Sequence, residues 1–253
     1  MPKVSVIIPC YNDGDFLQET LDSLREQSFI DYEIIVVNDG STDEVTIALL
    51  RSIAQSNTKV FHTKNMGVSA ARNKGITEAS GEYILPLDAD DTIGADYLER
   101  AVNVLEARPE VAAVYFERVL FGEHQGTDQL PDYDPKALLI DNCMYAALFR
   151  KADWKSVGGF SESMVYGWED WDFWISLSEL GKLVVKIPEP LFFYRIRSSS
   201  RDHSLQLHHK IAMMLVMVFR HKCLYLRNLD LLVKRSFSLI LKVISANSKS
   251  LDR

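Results

Sequence analysis

The sequence EYILPLDADD, at residues 82–91, joins an apolar run directly to three carboxylates. The run has the length and composition of a buried strand. Asp88, Asp90 and Asp91 follow it within four residues, so their mutual repulsion must be offset. Carboxylates two residues apart could converge on a divalent cation whose other ligands are water and phosphate oxygens. The alternative is a solvated turn in which Asp90 or Asp91 caps the next helix.

Similar apolar runs recur between helical patterns over the first 120 residues. They predict strands at 4–8, 33–37, 59–62, 82–87 and 111–117, and helices at about 13–27, after 42, at 68–79 and at 95–107. Such strands indicate a mostly parallel, doubly wound α/β sheet with helices on both faces. Residues 120–140 are predicted to be a loop, residues 143–180 are largely helical in pattern, and strands at 183–187 and 191–196 flank Pro188 and Pro190. Two C-terminal helices are expected at about 208–226 and 229–246.

Polar motifs follow three of the predicted strands, at 9–12, 38–43 and 88–91. In open α/β sheets, ligands bind beyond the carboxyl ends of the strands. The glycine-rich dinucleotide fingerprint and the phosphate-binding loop are both absent from the sequence. A nucleotide, if one is bound, would therefore be held by carboxylates, a metal and scattered donors. Asp39 alone also fits an Asp-Gly turn.

Two further stretches carry candidate chemistry. Gly67 opens a predicted helix, whose N-terminus favours anions, and Arg72 lies one to two turns later; the alternative is a surface arginine. The sequence YGWEDWDFW, at residues 166–174, places Asp170 near a helix start among tryptophans. Partial desolvation there can raise the pKa of a carboxylate and suit it to general base catalysis. Alternatively, these acids charge the helix start while the tryptophans fill the core.

Taken in order, the motifs resemble those of family 2 glycosyltransferases, which have the GT-A fold and invert the anomeric centre. The resemblance covers about residues 3–200 and rests on PCYN at 9–12, VVNDGSTD at 36–43, NMGVSAARN at 65–73, DADD at 88–91 and WED at 168–170. It implies sugar transfer from a nucleotide-sugar, usually UDP-linked, with Mg²⁺ or Mn²⁺. It also implies a GT-A domain at 1–202, with a nucleotide-sugar half at 1–117 and an acceptor half at 118–202.

The resemblance also implies residue roles. Tyr11 and Asp39 would hold the base and ribose, Asp90 would bind the metal, and Asp170 would be the base, with Glu169 supporting it or contacting the acceptor. The nucleotide- and donor-binding set is then Pro9, Tyr11, Asn12, Asp39, Asn65, Gly67, Arg72, Asp88 and Ala89.

Two departures from the family pattern bear on mechanism. Arg197 lies where many relatives have a histidine that completes the metal shell, and His203 comes six residues later. His203 is therefore a candidate metal ligand, while Arg197 and Arg201 are candidates for neutralising the diphosphate directly. The Gln-x-x-Arg-Trp signature of processive synthases is absent, which favours one sugar per encounter.

The C-terminal tail differs in charge from the rest of the chain. Residues 203–253 carry nine Lys/Arg and two acids, whereas residues 1–202 carry 19 and 33. This tail, predicted to be a basic amphipathic helical extension, could attach to a membrane surface and bring the site to a lipid-linked acceptor. Alternatively it packs on the catalytic domain or on a second copy in a homodimer. An acidic site with basic residues confined to the tail disfavours nucleic-acid binding.

Composition and termini suggest the compartment. No signal-peptide pattern is seen, the longest apolar run has nine residues, and the three cysteines lack metal or disulfide spacing. We expect a cytoplasmic bacterial enzyme of polysaccharide biosynthesis, peripheral on the inner face of the membrane if the tail binds lipid. The competing hypotheses are a nucleotidyltransferase, which should carry a basic Gly-rich loop after its first strand, and a nucleotide-sugar-binding protein without turnover.

Overall fold

The computed structural model describes residues 1–53, 58–198 and 205–231. The strands in these ranges are β1 (Val4–Cys10), β2 (Tyr32–Asn38), β3 (Thr58–His62), β4 (Tyr83–Pro86), β5 (Thr92–Ile93), β6 (Val111–Gly122), β7 (Gly126–Asp128), β8 (Ala147–Arg150) and β9 (Leu183–Ile196). The helices are α1 (Gly14–Arg25), α2 (Glu44–Ser52), α3 (Val68–Glu78), α4 (Tyr97–Ala107), α5 (Lys151–Val157), α6 (Glu169–Ser178), α7 (Leu207–Arg220) and α8 (Lys222–Arg227), with a 3-10 turn at Ala137–Leu139. The predicted α/β class is confirmed.

The described strands form one nine-stranded sheet in the order β3–β2–β1–β4–β8–β6–β9–β5, with β7 beside β6. Strands β1 to β4 pair in parallel, as predicted. Both faces are covered: Val6 and Ile8 point into one core with α1 and α4, whereas Ile7 points into the other with α3 and α6. Burial on both faces explains why these strands are apolar throughout rather than alternating.

The second half of the sheet departs from the prediction. Strand β8 lies between β4 and β6 and is antiparallel to both, in a region whose pattern looked helical. Its Ala147, Leu148 and Phe149 are fully buried, so tertiary packing decides their conformation. The predicted loop at 120–140 is also wrong in part, because β6 continues to Gly122 and turns back into β7.

Strand β9 is continuous through two prolines that were expected to separate two strands. Its register against β6 shifts between the Phe116–Ile187 pair and the Arg118–Phe192 pair, so Pro188 and Pro190 fall in an irregularity of the ladder. A proline is tolerated there because it has no N–H to contribute to the ladder.

The C-terminal helices pack on the same molecule through their inner face. The single helix predicted at about 208–226 is divided at His221 into α7 and α8. Most of the second predicted helix, at about 229–246, lies outside the described residues, and the domain division at 202/203 stays a prediction. Among the described helices, none combines the length and apolarity needed to cross a membrane.

Candidate active site

An open cavity of about 940 Å³ lies at the carboxyl ends of β1, β2 and β4. Every predicted site residue that the structure describes lines this cavity: Pro9, Tyr11, Asn12, Asp39, Asn65, Gly67, Arg72, Asp88, Ala89, Asp90, Glu169, Asp170 and Arg197. Arg201 and His203 lie outside the described residues. Because the carboxyl ends of parallel strands meet at one edge of a sheet, loops far apart in sequence converge here.

Asn12 joins the loops that follow β1 and β2. Its Oδ1 accepts hydrogen bonds from the backbone N–H groups of Thr42 at 2.7 Å and Asp43 at 3.2 Å, and its Nδ2 donates to the Thr42 hydroxyl at 3.2 Å. Asn12 has a φ of 57°, in the left-handed region that asparagine tolerates better than most residues. This turn leaves the ring of Tyr11 exposed at the cavity.

Asp39 anchors the loop that leads into α3. Its Oδ1 accepts from the Met66 N–H at 2.9 Å, and its Oδ2 accepts from the Gly67 N–H at 2.8 Å. Gly67 caps α3 with a φ of 89°, a conformation that glycine adopts readily. The carboxylate thus fixes where α3 begins beside the cavity, and its predicted contact with base or ribose stays a prediction.

Arg72, on α3, is almost fully buried and links two carboxylates of the site. Its Nη1 donates to Glu169 Oε1 at 2.9 Å, and its Nη2 donates to Asp88 Oδ1 at 2.5 Å. Burial lowers the pKa of Arg72, but Asp88, Glu169 and Asp170 outweigh burial and raise it above its ordinary value. The alternative of a surface arginine is therefore wrong: this guanidinium ties the loop after β4 to the start of α6.

The three carboxylates after β4 separate toward three different partners. Asp88 pairs with Arg72, Asp90 pairs with Arg197 Nη2 at 2.6 Å, and Asp91 accepts from the backbone N–H of residue 195 at 2.9 Å. Burial and the neighbouring Asp88 raise the pKa of Asp90 to about 6, and burial and Asp90 raise that of Asp91 well above its usual range. The alternative that Asp90 or Asp91 caps the next helix is wrong, because Asp96 precedes α4.

Arg197 lies between two acids at the edge of the cavity. Its Nη1 donates to Asp13 Oδ1 at 2.8 Å, while Nη2 holds Asp90, and its guanidinium lies 4.8 Å from the centre of the Phe16 ring. Burial lowers the pKa of Arg197, but Asp13 and Asp90 raise it overall. The cation of Arg197 is therefore held directly beside Asp90.

Asp170 is the second residue of α6 and faces the cavity. Its Oδ2 accepts from Asn142 Nδ2 at 3.1 Å, and its Oδ1 accepts from the Trp171 N–H at 2.7 Å. Burial and the adjacent Glu169 raise the pKa of Asp170 to about 7, against the opposing effect of Arg72. A carboxyl with such a pKa can accept a proton near neutral pH.

The sequence interpretation missed several cavity residues, among them Asp13, Asn142 and Lys210. Asp13 directly precedes α1, but its carboxylate makes no cap bond to that helix and pairs with Arg197 instead. Asn142 and Lys210 lie in stretches without a recognisable motif, and only the folded chain brings them to the site. The place of Asp13 directly after the polar motif at 9–12 was the one signal in the sequence.

Comparison with known proteins decides the family. A family model described as glycosyl transferase family 2 matches residues 5–155. The chain belongs to glycosyl transferase family 2. The putative glycosyltransferase EpsH of Bacillus subtilis (strain 168) is 31% identical over 219 residues, which are 79% of this chain and 62% of EpsH. The uncharacterized glycosyltransferase YibD of Escherichia coli (strain K12) is 45% identical over 92 residues, 36% of this chain and 27% of YibD. The chain thus spans less than two thirds of the length of either relative.

Solved structures agree on the fold of this family 2 chain. Residues 1–349 of S. aureus TarS in complex with UDP-GlcNAc superpose with a TM-score of 0.70 at 22% identity, covering 86% of this chain and 66% of that one. The mannosyltransferase PcManGT from Pyrobaculum calidifontis, in complex with GDP-Man and Mn²⁺, gives a TM-score of 0.66 at 21% identity, covering 99% and 80%. The predicted GT-A fold is confirmed, and family membership argues against the nucleotidyltransferase hypothesis.

Proposed function

We propose that the chain transfers one sugar per encounter from a nucleoside diphosphate sugar to an acceptor hydroxyl, inverting the anomeric carbon. The observation that carries this proposal is Asp170, a half-buried carboxyl with a pKa of about 7 on the same cavity as Asp90 and Arg197. Inversion needs one base on the face opposite the leaving group. As the acceptor oxygen bonds to the anomeric carbon, its proton passes to Asp170 and the bond to the diphosphate oxygen breaks.

The donor is proposed to be a UDP-sugar that enters over the loops after β1 and β2. Tyr11 offers an exposed ring on which a base can stack. Asn12 and Asp39 hold the surrounding loops by their own hydrogen bonds and so fix the backbone that would border the donor. TarS with UDP-GlcNAc supports the choice of UDP, whereas PcManGT with GDP-Man shows that the same fold accommodates another base.

A divalent cation, Mg²⁺ or Mn²⁺, is part of the proposal, with Asp90 as its protein ligand. Within the described ranges, no three His, Cys, Asp or Glu side chains are grouped as a complete metal shell. A single cavity-lining carboxylate still fits a cation whose remaining ligands are water and phosphate oxygens. When bound, such a cation would neutralise charge on the leaving diphosphate. Because Arg197 Nη2 pairs with Asp90 Oδ2, a cation on Asp90 would compete with this guanidinium, which could then meet the diphosphate itself.

The acceptor is proposed to be a glycan or a lipid-linked glycan. The cavity is also bordered by aromatic and polar side chains suited to a sugar: Asn142, Tyr145, Trp168 and Lys210. Asn142 holds Asp170 directly, so an acceptor bound among these residues would lie next to the base. Glu169 is buried and bonded to Arg72, which supports a positioning role for it rather than contact with the acceptor.

Thermal shift with a panel of UDP- and GDP-sugars, with and without Mn²⁺, tests donor binding. We expect a UDP-sugar to raise the melting temperature and Asp90→Ala to remove the Mn²⁺-dependent part of that rise. Asp170→Asn should keep the donor shift but lose UDP release from the donor. Full UDP release by this variant would remove Asp170 from the role of base, and donor binding without turnover by the unmodified chain would favour a binding protein.

A further inference from the structure

Helix α7 is apolar on both its inner and its outer face. The inner face buries Met213 and Met217 in the core that also contains α6. On the outer face, four apolar residues recur at four-residue intervals and are exposed by 41, 38, 61 and 78%: Leu207, Ile211, Leu215 and Phe219. We call these four side chains the outer stripe.

The outer stripe is unusual for the surface of a soluble domain. A helix packed on a core normally turns a charged or polar face to solvent. In α7 the charged side chains lie at the flanks of the stripe: Lys210 borders the cavity, and Arg220 donates to the buried Asp172 at 3.0 Å. A contiguous apolar face of this kind marks contact with a protein or a membrane.

Charge favours an anionic lipid surface as the partner. Residues 203–253 carry nine Lys/Arg against two acids, and Lys222 and Arg227 are exposed on α8, the helix that follows α7. Stacking the stripe of a second copy on this one would bring two basic tails together. If residues 232–253 covered the outer stripe, they would likewise add five Lys/Arg and one Asp to an already basic region. On a membrane, anionic lipid headgroups would instead contact the basic side chains, while the apolar side chains of the outer stripe would insert among the acyl chains.

The helix that bears the stripe also borders the active site. Lys210 and Met214, one turn apart, line the cavity from the inner edge of α7. At the end of α7, His221 Nε2 lies 3.0 Å from Asp172 Oδ1 and His221 Nδ1 lies 3.0 Å from Glu179 Oε1. These contacts bind the helix to α6, which carries Asp170, so the stripe is in a fixed position relative to the base.

We propose that the outer stripe docks the enzyme on an anionic membrane surface and so presents the acceptor side of the cavity to a lipid-linked acceptor. The identity of the acceptor rests on the proposed function, whereas docking itself does not. Lys210 then lies where the anionic phosphate of such an acceptor would reach the cavity. The apolar lipid part remains in the bilayer beside α7.

Co-sedimentation of the full chain with vesicles of phosphatidylcholine and phosphatidylglycerol tests the docking. We expect binding to the mixed vesicles, little binding to pure phosphatidylcholine, and a loss of about tenfold or more in Leu215→Glu/Phe219→Glu, because two apolar side chains leave the interface. Ile30→Glu is the matched control, since Ile30 is 87% exposed and lies at the amino ends of the strands, away from the cavity. Ile30→Glu should bind as the unmodified chain does.

Further readouts separate the outcomes. The thermal shift that a UDP-sugar produces in the double variant should equal that in the unmodified chain, and this would show that the double variant folds. Absence of binding by the unmodified chain, or equal binding by the double variant, overturns the docking proposal. A dimer by light scattering that the double variant abolishes, with vesicle binding unchanged, assigns the stripe to a second copy and also overturns it. Vesicle binding without any nucleotide-sugar shift would instead contradict the proposed function and leave docking in place.

Discussion

Replacing Asp170 with asparagine should stabilise the protein while abolishing sugar transfer. The side chain is half-buried beside Glu169, and these surroundings raise its pKa from 3.8 to about 7. A carboxyl whose pKa is raised by folding costs stability whenever the unfolded chain would be ionised, because the folded protein must retain the proton or bury the charge. Asparagine has nearly the same shape and carries neither the charge nor the proton.

The expected size follows from the shift in pKa. The unfolded carboxyl loses its proton near pH 3.8, but the folded one keeps it until about pH 7. The free energy of unfolding therefore falls as pH rises between these values, by about 1.4 kcal/mol per pH unit, and is constant above pH 7. From pH 5 to pH 8 the advantage of Asp170→Asn should grow by about 3 kcal/mol. For a domain of this size, that corresponds to roughly 6–12 °C in melting temperature.

Urea unfolding of both proteins at pH 5 and pH 8 measures this difference directly. Asp31→Asn provides a control, because it makes the same chemical change at an exposed carboxylate that does not line the cavity. An advantage of Asp170→Asn that is equal at the two pH values would refute the reasoning. It would mean that the Asp170 carboxyl is already ionised at pH 5 and that its surroundings do not favour the protonated form.

Three further predictions concern the same cavity. Transfer, measured as kcat/KM against pH, should fall about tenfold per pH unit below pH 7 as Asp170 is protonated. Asn142→Ala should move this acidic limb of the pH profile to higher pH, because it removes a hydrogen-bond donor to the ionised carboxylate. An acidic limb that does not move would contradict this. Arg72→Met should lower the free energy of unfolding by about 3–5 kcal/mol in urea titrations, because it breaks a buried charge network, and a loss below about 1 kcal/mol would show that the network is dispensable. Arg197→Ala should tighten Mn²⁺ binding roughly tenfold, measured by electron paramagnetic resonance, because the Arg197 guanidinium no longer competes with the metal for Asp90. An unchanged affinity would show that Arg197 and Mn²⁺ do not compete.

The parallel half of the sheet could be predicted because its signal is local. Strands β1, β2 and β4 are buried on both faces, so each appears in the sequence as a short apolar run followed by polar residues. Strand β8 could not be found in this way. It has four residues, and its position between β4 and β6 depends on partners that lie far along the chain. In β9 the local signal itself was misleading. Pro188 and Pro190 predict a break between two strands, but an irregularity in the ladder accommodates them within one strand.

The motifs located residues that line the cavity, but not the partners of those residues. The motifs identified Asp39 and Arg72 as site residues, and both line the cavity. No local pattern indicates that Asp39 binds the backbone N–H groups of Met66 and Gly67, or that Arg72 bonds to a glutamate 97 residues away. Hydrogen-bond partners of buried polar groups are set by the tertiary fold, because each group must be satisfied by whatever lies near it.

The charge balance of the cavity explains how a site with a crowded acidic motif can bind an anionic donor. Three cationic side chains line the cavity within the described residues, and Arg72 and Arg197 are already bonded to carboxylates. If Lys210 serves the acceptor, a diphosphate gains a cation by taking a partner from Asp90, either Arg197 itself or a metal that replaces Arg197 there. Since burial and Asp88 already raise the pKa of Asp90, releasing it from Arg197 without a replacement cation would favour its protonation. Donor binding and the exchange of cations at Asp90 are therefore expected to be coupled events, with Lys210 remaining on the acceptor side.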